Sequence, residues 1–205
     1  MVEEAKNAIL FVMFEPGNNS ELISRILKMS EKILVRGVEN TVGKKGEAFS
    51  LHEKGKSQEY MTPIIQPEGV EDGFSAWIKE ITRKEFITTE QHQGIGHAIT
   101  HAKMIVIDPL DRDCKVITGS HNFSKSASTK NDENFIVIHG NKQLAEAYVV
   151  SCLAIYSHYR WRAYLKEMAS AGKKPWSHLS PRADWQVDYL TKERKRYLGI
   201  WCPQQ

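Results

Sequence analysis

The segment that most constrains the fold is residues 96–133, in which two short apolar runs are each followed by polar residues. Residues 103–108 (KMIVID) and 115–118 (KVIT) are rich in the β-branched and aliphatic side chains typical of buried strands. Residues 109–113 (PLDRD) have the composition of a turn. The pattern predicts a hairpin that returns the polar residues 119–122 to the end of the sheet where its first strand begins.

The positions of polar side chains on the first strand indicate which of them act together. Side chains alternate between the two faces of a strand, so we expect His101 and Lys103 on one face. Asp108 has the opposite parity. We therefore expect Asp108 to hold the end of the strand in place and to take no part in chemistry beside His101.

The residues gathered at this end of the predicted sheet suit attack on an anionic phosphodiester. His101 can act as a nucleophile or proton carrier near neutral pH, and Lys103 carries a fixed positive charge. Ser120 and Asn122 supply neutral hydrogen-bond donors. Glu133 would hold one imidazole nitrogen, as an aspartate does in a hydrolase triad, and leave the other free to react. Charge that builds on the phosphoryl oxygens would be met by Lys103 and Asn122.

The order His-x-Lys-x4-Asp followed by Gly-Ser-x-Asn resembles the signature of the phospholipase D superfamily. The resemblance is carried by His101, Lys103, Asp108, Gly119, Ser120 and Asn122, with Glu133 where the family places the acid that orients its histidine. It implies an α/β fold with a mixed β-sheet flanked by helices, which is one half-unit of the phospholipase D-like fold. It also implies hydrolysis through a phosphohistidine at His101, with Gly119 and Ser120 binding substrate and with no metal or organic cofactor.

The family's active site uses two such motifs, whereas this sequence contains a single His-x-Lys-x4-Asp motif. In the family, one histidine attacks phosphorus and the other protonates the leaving group. We therefore expect either a homodimer, in which a second copy supplies another His101, or a missing N-terminal half that carries the second motif. His121 stands at the variable position of Gly-Ser-x-Asn and is expected to be a neighbour of the site and not a catalyst.

Three classes of function fit these residues. The first is a phospholipase D-type enzyme that hydrolyses phospholipid head groups, and the second is a nuclease of the same superfamily that cuts a DNA or RNA backbone. The third is a non-catalytic half-domain, which the complete motif argues against. The net charge of +3 is only mildly basic, so the sequence slightly favours a lipid or another small phosphodiester over a nucleic acid.

The composition is that of an ordinary globular protein. An apolar fraction of 41% and a charged fraction of 26% over 205 residues allow a substantial core. We expect a catalytic domain over residues 1–171 and a C-terminal extension over residues 172–205 that packs on it. The sequence shows neither a secretory signal nor an apolar run of membrane-spanning length, so we expect a cytoplasmic or membrane-peripheral protein.

No spacing in the sequence is typical of a metal site or a disulfide framework. His97 and His101 are four residues apart, but their segment lacks the glutamate of a zinc-protease helix and is predicted to be extended. Cys114, Cys152 and Cys202 are widely separated, which fits a reducing compartment.

Hydrophobic periodicity predicts the remaining elements. The run AILFVMF is typical of a central strand, and the helix and strand after it form a β-α-β unit with a parallel strand pair. Ser20 and Asn141 are expected to cap the two main helices. The predicted elements are strands 8–14, 32–38, 60–65, 86–89 and 135–139, helices 21–29, 73–81 and 142–169, and loop or edge structure over 39–57.

Overall fold

A computed structural model of the protein describes residues 1–17, 20–43, 46–53, 56–61, 100–174, 181–190 and 192–202. Its strands are β1 (Ala8–Phe14), β2 (Leu34–Gly43), β3 (Gly46–Glu53), β4 (Lys56–Met61), β5 (Met104–Ile107), β6 (Lys115–Gly119) and β7 (Phe135–His139). Its helices are α1 (Glu21–Met29), α2 (Lys125–Thr129), α3 (Lys142–Ser170) and α4 (Lys192–Trp201), with 3-10 helices at Val2–Glu4 and Ala183–Leu190.

The seven strands form one sheet in the order β4-β3-β2-β1-β5-β6-β7. β1 and β2 are parallel, as the β-α-β pattern predicts, and the other neighbouring strands are antiparallel. The predicted α/β fold with a mixed sheet and flanking helices is confirmed.

β1 lies at the centre of the sheet because its side chains are apolar on both faces. Ile9 and the alternate residues after it pack against Ile23 and Ile26 of α1. Ala8 and its alternate residues pack on the other face, against Val149 and neighbouring residues of α3. Among the described residues a helix therefore covers each face of the sheet, which leaves the ends of its strands open for a site.

Both predicted helix caps are present. The Oγ of Ser20 accepts from the N–H of Ile23 at 3.4 Å, and the Oδ1 of Asn141 accepts from the N–H of Leu144 at 3.1 Å. Each bond satisfies a backbone donor that the first turn of a helix leaves without a partner. The predicted bounds of α1 are confirmed, and α3 ends at Ser170, one residue beyond its predicted end.

The polar segment 39–57 differs from its predicted structure. β2 continues to Gly43 and pairs with β3, which in turn pairs with β4. The interpretation of this segment as a loop is wrong, although β3 and β4 do stand at one edge of the sheet. Pairing with a neighbouring strand bonds the backbone whatever the polarity of its side chains, and this outweighs weak strand propensity. The predicted helix 73–81 and strand 86–89 lie outside the described residues.

The C-terminal helix α4 contacts the body of the fold. Ile200 and Trp201 pack against the apolar cluster beneath α3. The guanidinium of Arg36 on β2 lies 5.9 Å from the ring centroid of Tyr156 and 5.5 Å from that of Tyr197, which belong to α3 and α4. None of the described helices has the length and apolar character needed to cross a membrane.

Candidate active site

The candidate site lies at the end of the sheet where β1 ends and β5 begins. The antiparallel register pairs Val12 with Met104, so the residues just before β5 come beside the last residue of β1. The rings of Phe14 and His101 are 4.5 Å apart between centroids. His101 is exposed at this edge, which leaves its imidazole open to a substrate.

Lys103 lies directly against the imidazole of His101. Its Nζ is 3.1 Å from both Nδ1 and Nε2 of the ring and donates to the carbonyl oxygen of His101 at 2.8 Å. The same Nζ lies 5.1 Å from the centroid of the Phe14 ring, a distance at which an aromatic face attracts a cation. The structure thus brings His101 and Lys103 together, although both precede β5 instead of lying within it.

The charge of Lys103 is subject to opposing effects. Its side chain is buried, and burial lowers the pKa of Lys103 because it disfavours the ammonium form. The carboxylates of Glu133 and Glu15 raise the same pKa. Glu15 has a φ of 46°, in the left-handed region that non-glycine residues seldom adopt, and its N–H donates to the carbonyl oxygen of Asn40 at 2.8 Å.

The loop after β6 is tied to the residues before β7. A Cβ atom at Gly119 would lie 2.4 Å from the carbonyl oxygen of Asn134, so only glycine fits there. The N–H groups of Ser120 and His121 both donate to that oxygen at 3.0 Å. The Oγ of Ser120 accepts from the N–H of Asn134 at 3.0 Å. Gly119 and Ser120 therefore shape the loop, and their contact with substrate stays a prediction.

Glu133 holds the backbone of Asn122. The N–H of Asn122 donates to the Oε2 of Glu133 at 3.0 Å, and the Nδ2 of Asn131 donates to its Oε1 at 3.1 Å. These two bonds, the side-chain one first, lower the pKa of Glu133, and the charge of Lys103 acts in the same direction. Within the described ranges no hydrogen bond joins Glu133 to His101 of the same chain, so the orienting role of this carboxylate stays a prediction.

The side chain of Asn122 has an acceptor atom that makes no hydrogen bond within the described residues. Its Oδ1 atom is buried and finds no partner in the part of the chain that the structure describes. Buried polar atoms are normally bonded, and an amide oxygen only accepts, so a ligand could satisfy this atom only with a group that donates a hydrogen bond.

Asp108 lies at the opposite end of β5 from His101. Its carboxylate accepts from the backbone N–H groups of Lys6 at 2.8 Å, Asn7 at 2.7 Å and Ala8 at 3.0 Å. Its own N–H donates to the carbonyl oxygen of Ala8 at 2.9 Å. The third residue of the motif therefore joins the end of β5 to the start of β1.

Comparison with known proteins assigns the family. A family model described as "Cardiolipin synthase, PLD-like domain" matches residues 1–151. The chain belongs to the phospholipase D superfamily. A crystal structure of the phospholipase D family member Nuc from Salmonella typhimurium is similar at 20% sequence identity, with a TM-score of 0.41 over 75% of this chain and 80% of that one. A search of curated proteins finds no significant match.

The candidate site also contains residues that sequence reasoning missed. Phe14 and Glu15 flank the imidazole and the ammonium group, yet they belong to a strand end and a turn whose composition gives no signal of chemistry. His121, expected to be only a neighbour, is buried and bonded at both ring nitrogens. Strand pairing, and not local sequence, brings Phe14 and Glu15 to the site, whereas the loop geometry sets the hydrogen bonds of His121.

The described residues hold no group of three or more His, Cys, Asp or Glu side chains arranged to bind a metal ion. His97 lies outside the described ranges. In a phospholipase D-type site the positive charge at the phosphate would come from Lys103, which is already in place beside His101.

Proposed function

We propose that the chain hydrolyses phosphodiesters, with His101 as the nucleophile and phospholipids as substrates. The observation that carries the proposal is the contact of the Lys103 ammonium with the imidazole of His101, at an exposed strand end. Glu133 acts electrostatically on Lys103 and bonds the N–H of Asn122, which links both parts of the motif into one site.

The reaction runs in two steps. A ring nitrogen of His101 attacks phosphorus, the bond from phosphorus to the leaving oxygen breaks, and a second imidazole gives that oxygen a proton. Water then attacks the phosphohistidine, the second imidazole accepts a proton from that water, and the bond between phosphorus and nitrogen breaks. Lys103 and Asn122 meet the charge that develops on the phosphoryl oxygens.

The second imidazole comes from outside this His-x-Lys pair. The sequence contains one His-x-Lys-x4-Asp motif, and the exposed His101 is free to face another unit. We propose a homodimer in which two His101 side chains share one phosphate. A separate unit that carries the second motif is the alternative partner.

The substrate assignment rests on two observations. The family model that matches the chain is named for cardiolipin synthase, and cardiolipin is a phospholipid. The net charge of +3 is small for a protein that binds a nucleic acid backbone. A nuclease would use the same residues and is the outcome that the substrate test must distinguish.

The test compares phosphatidylcholine vesicles with a plasmid, each incubated with the wild-type chain and with His101→Ala. We expect release of head groups from the vesicles, no nicking of the plasmid, persistence of activity in excess EDTA, and loss of all turnover in His101→Ala. His139→Ala is the matched control, because His139 is exposed at the far end of β7 and should leave activity unchanged. Nicking without head-group release would favour the nuclease, and full activity of His101→Ala would overturn the proposed chemistry.

A further inference from the structure

His121 makes a local bond that spans Asn122. Its Nδ1 accepts from the N–H of Phe123 at 2.8 Å. A side-chain acceptor bonded to the N–H two residues later is the geometry of an Asx turn, here made by an imidazole. The bond limits the backbone conformations open to Asn122, the residue whose amide is proposed to hold the phosphate.

The bonding pattern also assigns the proton on the imidazole. Nδ1 accepts from an N–H and therefore carries no proton. Nε2 lies 3.1 Å from the Oγ of Ser128, and that hydroxyl itself donates to the carbonyl oxygen of Ser124 at 3.1 Å. Because the hydroxyl proton is already used, Nε2 is the donor. The geometry thus has the ring accept at Nδ1 and donate from Nε2, and the ring connects the loop to α2.

The surroundings of His121 keep it in this position. The ring is 8% exposed and contacts the ring of Phe135 at 5.5 Å between centroids. Phe123 has a φ of 55°, a left-handed conformation that costs a non-glycine residue on the order of 1 kcal/mol or more. The bond to Nδ1 offsets part of that cost. On the other side of the loop, Glu133 holds the N–H of Asn122.

From this geometry we infer that His121 is a positioning residue for Asn122, with Nδ1 as the acceptor and the proton on Nε2. The effect on catalysis rests on the proposed function, whereas the tautomer and the loop geometry do not. The groups around the ring are the carboxylate of Glu133, the hydroxyl of Ser128 and the apolar ring of Phe135.

Two substitutions distinguish a positioning role of the His121 acceptor atom from a role that depends only on the size of its side chain. His121→Asn places an amide oxygen where Nδ1 lies, so it keeps the turn and cannot titrate. His121→Ala removes the acceptor. We expect His121→Ala to lower kcat on the order of 10²-fold with little change in KM, since a misplaced catalytic group costs about that much. We expect His121→Asn to recover most of that loss. Equal loss of kcat in both variants, or a wild-type kcat in His121→Ala, would overturn the inference.

Two further measurements do not depend on enzyme activity. In ¹⁵N-histidine spectra at neutral pH, we expect the ring signals of His121 to show protonation on Nε2. These signals should be absent from the spectrum of His121→Asn. Hydrogen exchange of the Phe123 amide should be faster in His121→Ala than in wild type and nearly normal in His121→Asn. A ring protonated on Nδ1, or unchanged exchange in His121→Ala, would overturn the inference even if the chain hydrolysed no phosphodiester. If His121→Ala does not fold, Ser128→Ala replaces it and should also speed exchange at Phe123, because it removes the partner of Nε2.

Discussion

Lys103 shows how the fold alters the chemistry of a single side chain. Its ammonium group is buried against His101 and Phe14, and two carboxylates, those of Glu133 and Glu15, act on it from nearby. Burial is the largest effect, so the pKa of Lys103 is lowered. A lysine in this position provides a positive charge at the phosphate only while the pH stays below that lowered pKa.

The lowered pKa of Lys103 predicts how the proposed activity responds to alkaline pH. Activity that needs the ammonium form should fall as pH rises, and should do so below about 10.4, where an exposed lysine titrates. In Lys103→Arg the guanidinium stays charged, so this limb of the kcat/KM profile should vanish even if kcat is reduced. The conservative control is Lys125→Arg on the exposed surface of α2. An unchanged alkaline limb in Lys103→Arg would assign it to another group.

The lowered pKa of Glu133 predicts how acid pH affects the stability of the fold. The Asn131 side chain and the Asn122 backbone lower its pKa in the folded state, so its contribution is complete above the unfolded pKa of about 4.3. That contribution is lost as pH falls through the folded pKa. Glu133→Gln should therefore melt at a lower temperature than wild type at pH 7, and the difference should shrink below about pH 4. Glu146→Gln, on the exposed face of α3, is the control, and a difference independent of pH would contradict the prediction.

At the scale of elements, the motif spans the whole length of β5. His101 and Lys103 precede this strand and Asp108 follows it, so one short strand carries chemistry at one end and a structural junction at the other. Three backbone N–H groups at the start of β1 converge on the Asp108 carboxylate. The junction keeps the central pair of strands in register, and the register in turn sets the position of His101 beside Phe14.

Asp108→Asn should weaken this junction without changing the chemistry. The new amide keeps one acceptor oxygen but places its NH₂ group beside a backbone N–H, and two donors cannot bond each other. We therefore expect a loss of about 2–3 kcal/mol in the free energy of unfolding. Urea denaturation measures that loss, and kcat well below the melting temperature should be unchanged. If Asp108→Asn were as inactive as His101→Ala at an unchanged melting temperature, Asp108 would belong to the chemistry after all.

At the scale of the whole molecule, the proposed mechanism needs more than one His-x-Lys pair. One imidazole must attack while another donates a proton, and the sequence offers one His-x-Lys-x4-Asp motif in each copy. A two-fold axis brings the same surface of two subunits together and would place both His101 side chains across one phosphate. The loop over residues 119–124 would then lie close to that axis.

A mixing experiment tests the shared site. Inactive His101→Ala chains are refolded together with wild-type chains, and activity is followed against the fraction of wild type. If both histidines serve one phosphate, mixed dimers are inactive and activity falls as the square of the wild-type fraction. His139→Ala chains mixed in the same way should cause no loss. A linear fall with His101→Ala, or a fully active monomer at high dilution, would show that one chain holds a complete site.

The sequence by itself determined the elements whose apolar pattern is strong and local. β1, α1 and β7 were predicted at their observed bounds, because a continuous apolar run, a capped amphipathic stretch and a short β-branched run each have one favourable conformation. The motif spacing likewise predicted that the residues before β5 and after β6 meet at one end of the sheet. These inferences need only side-chain polarity, chain geometry and the resemblance to a known family.

Only the tertiary structure decided which groups bond to one another. β3 is a strand despite its polar sequence, because β2 and β4 supply its backbone partners from other parts of the chain. Glu133 bonds the backbone of Asn122, and His121 spans the same residue, because the loop folds back on itself between β6 and β7. A hydrogen bond depends on tenths of an ångström and on angles, and residue spacing along the sequence does not specify either.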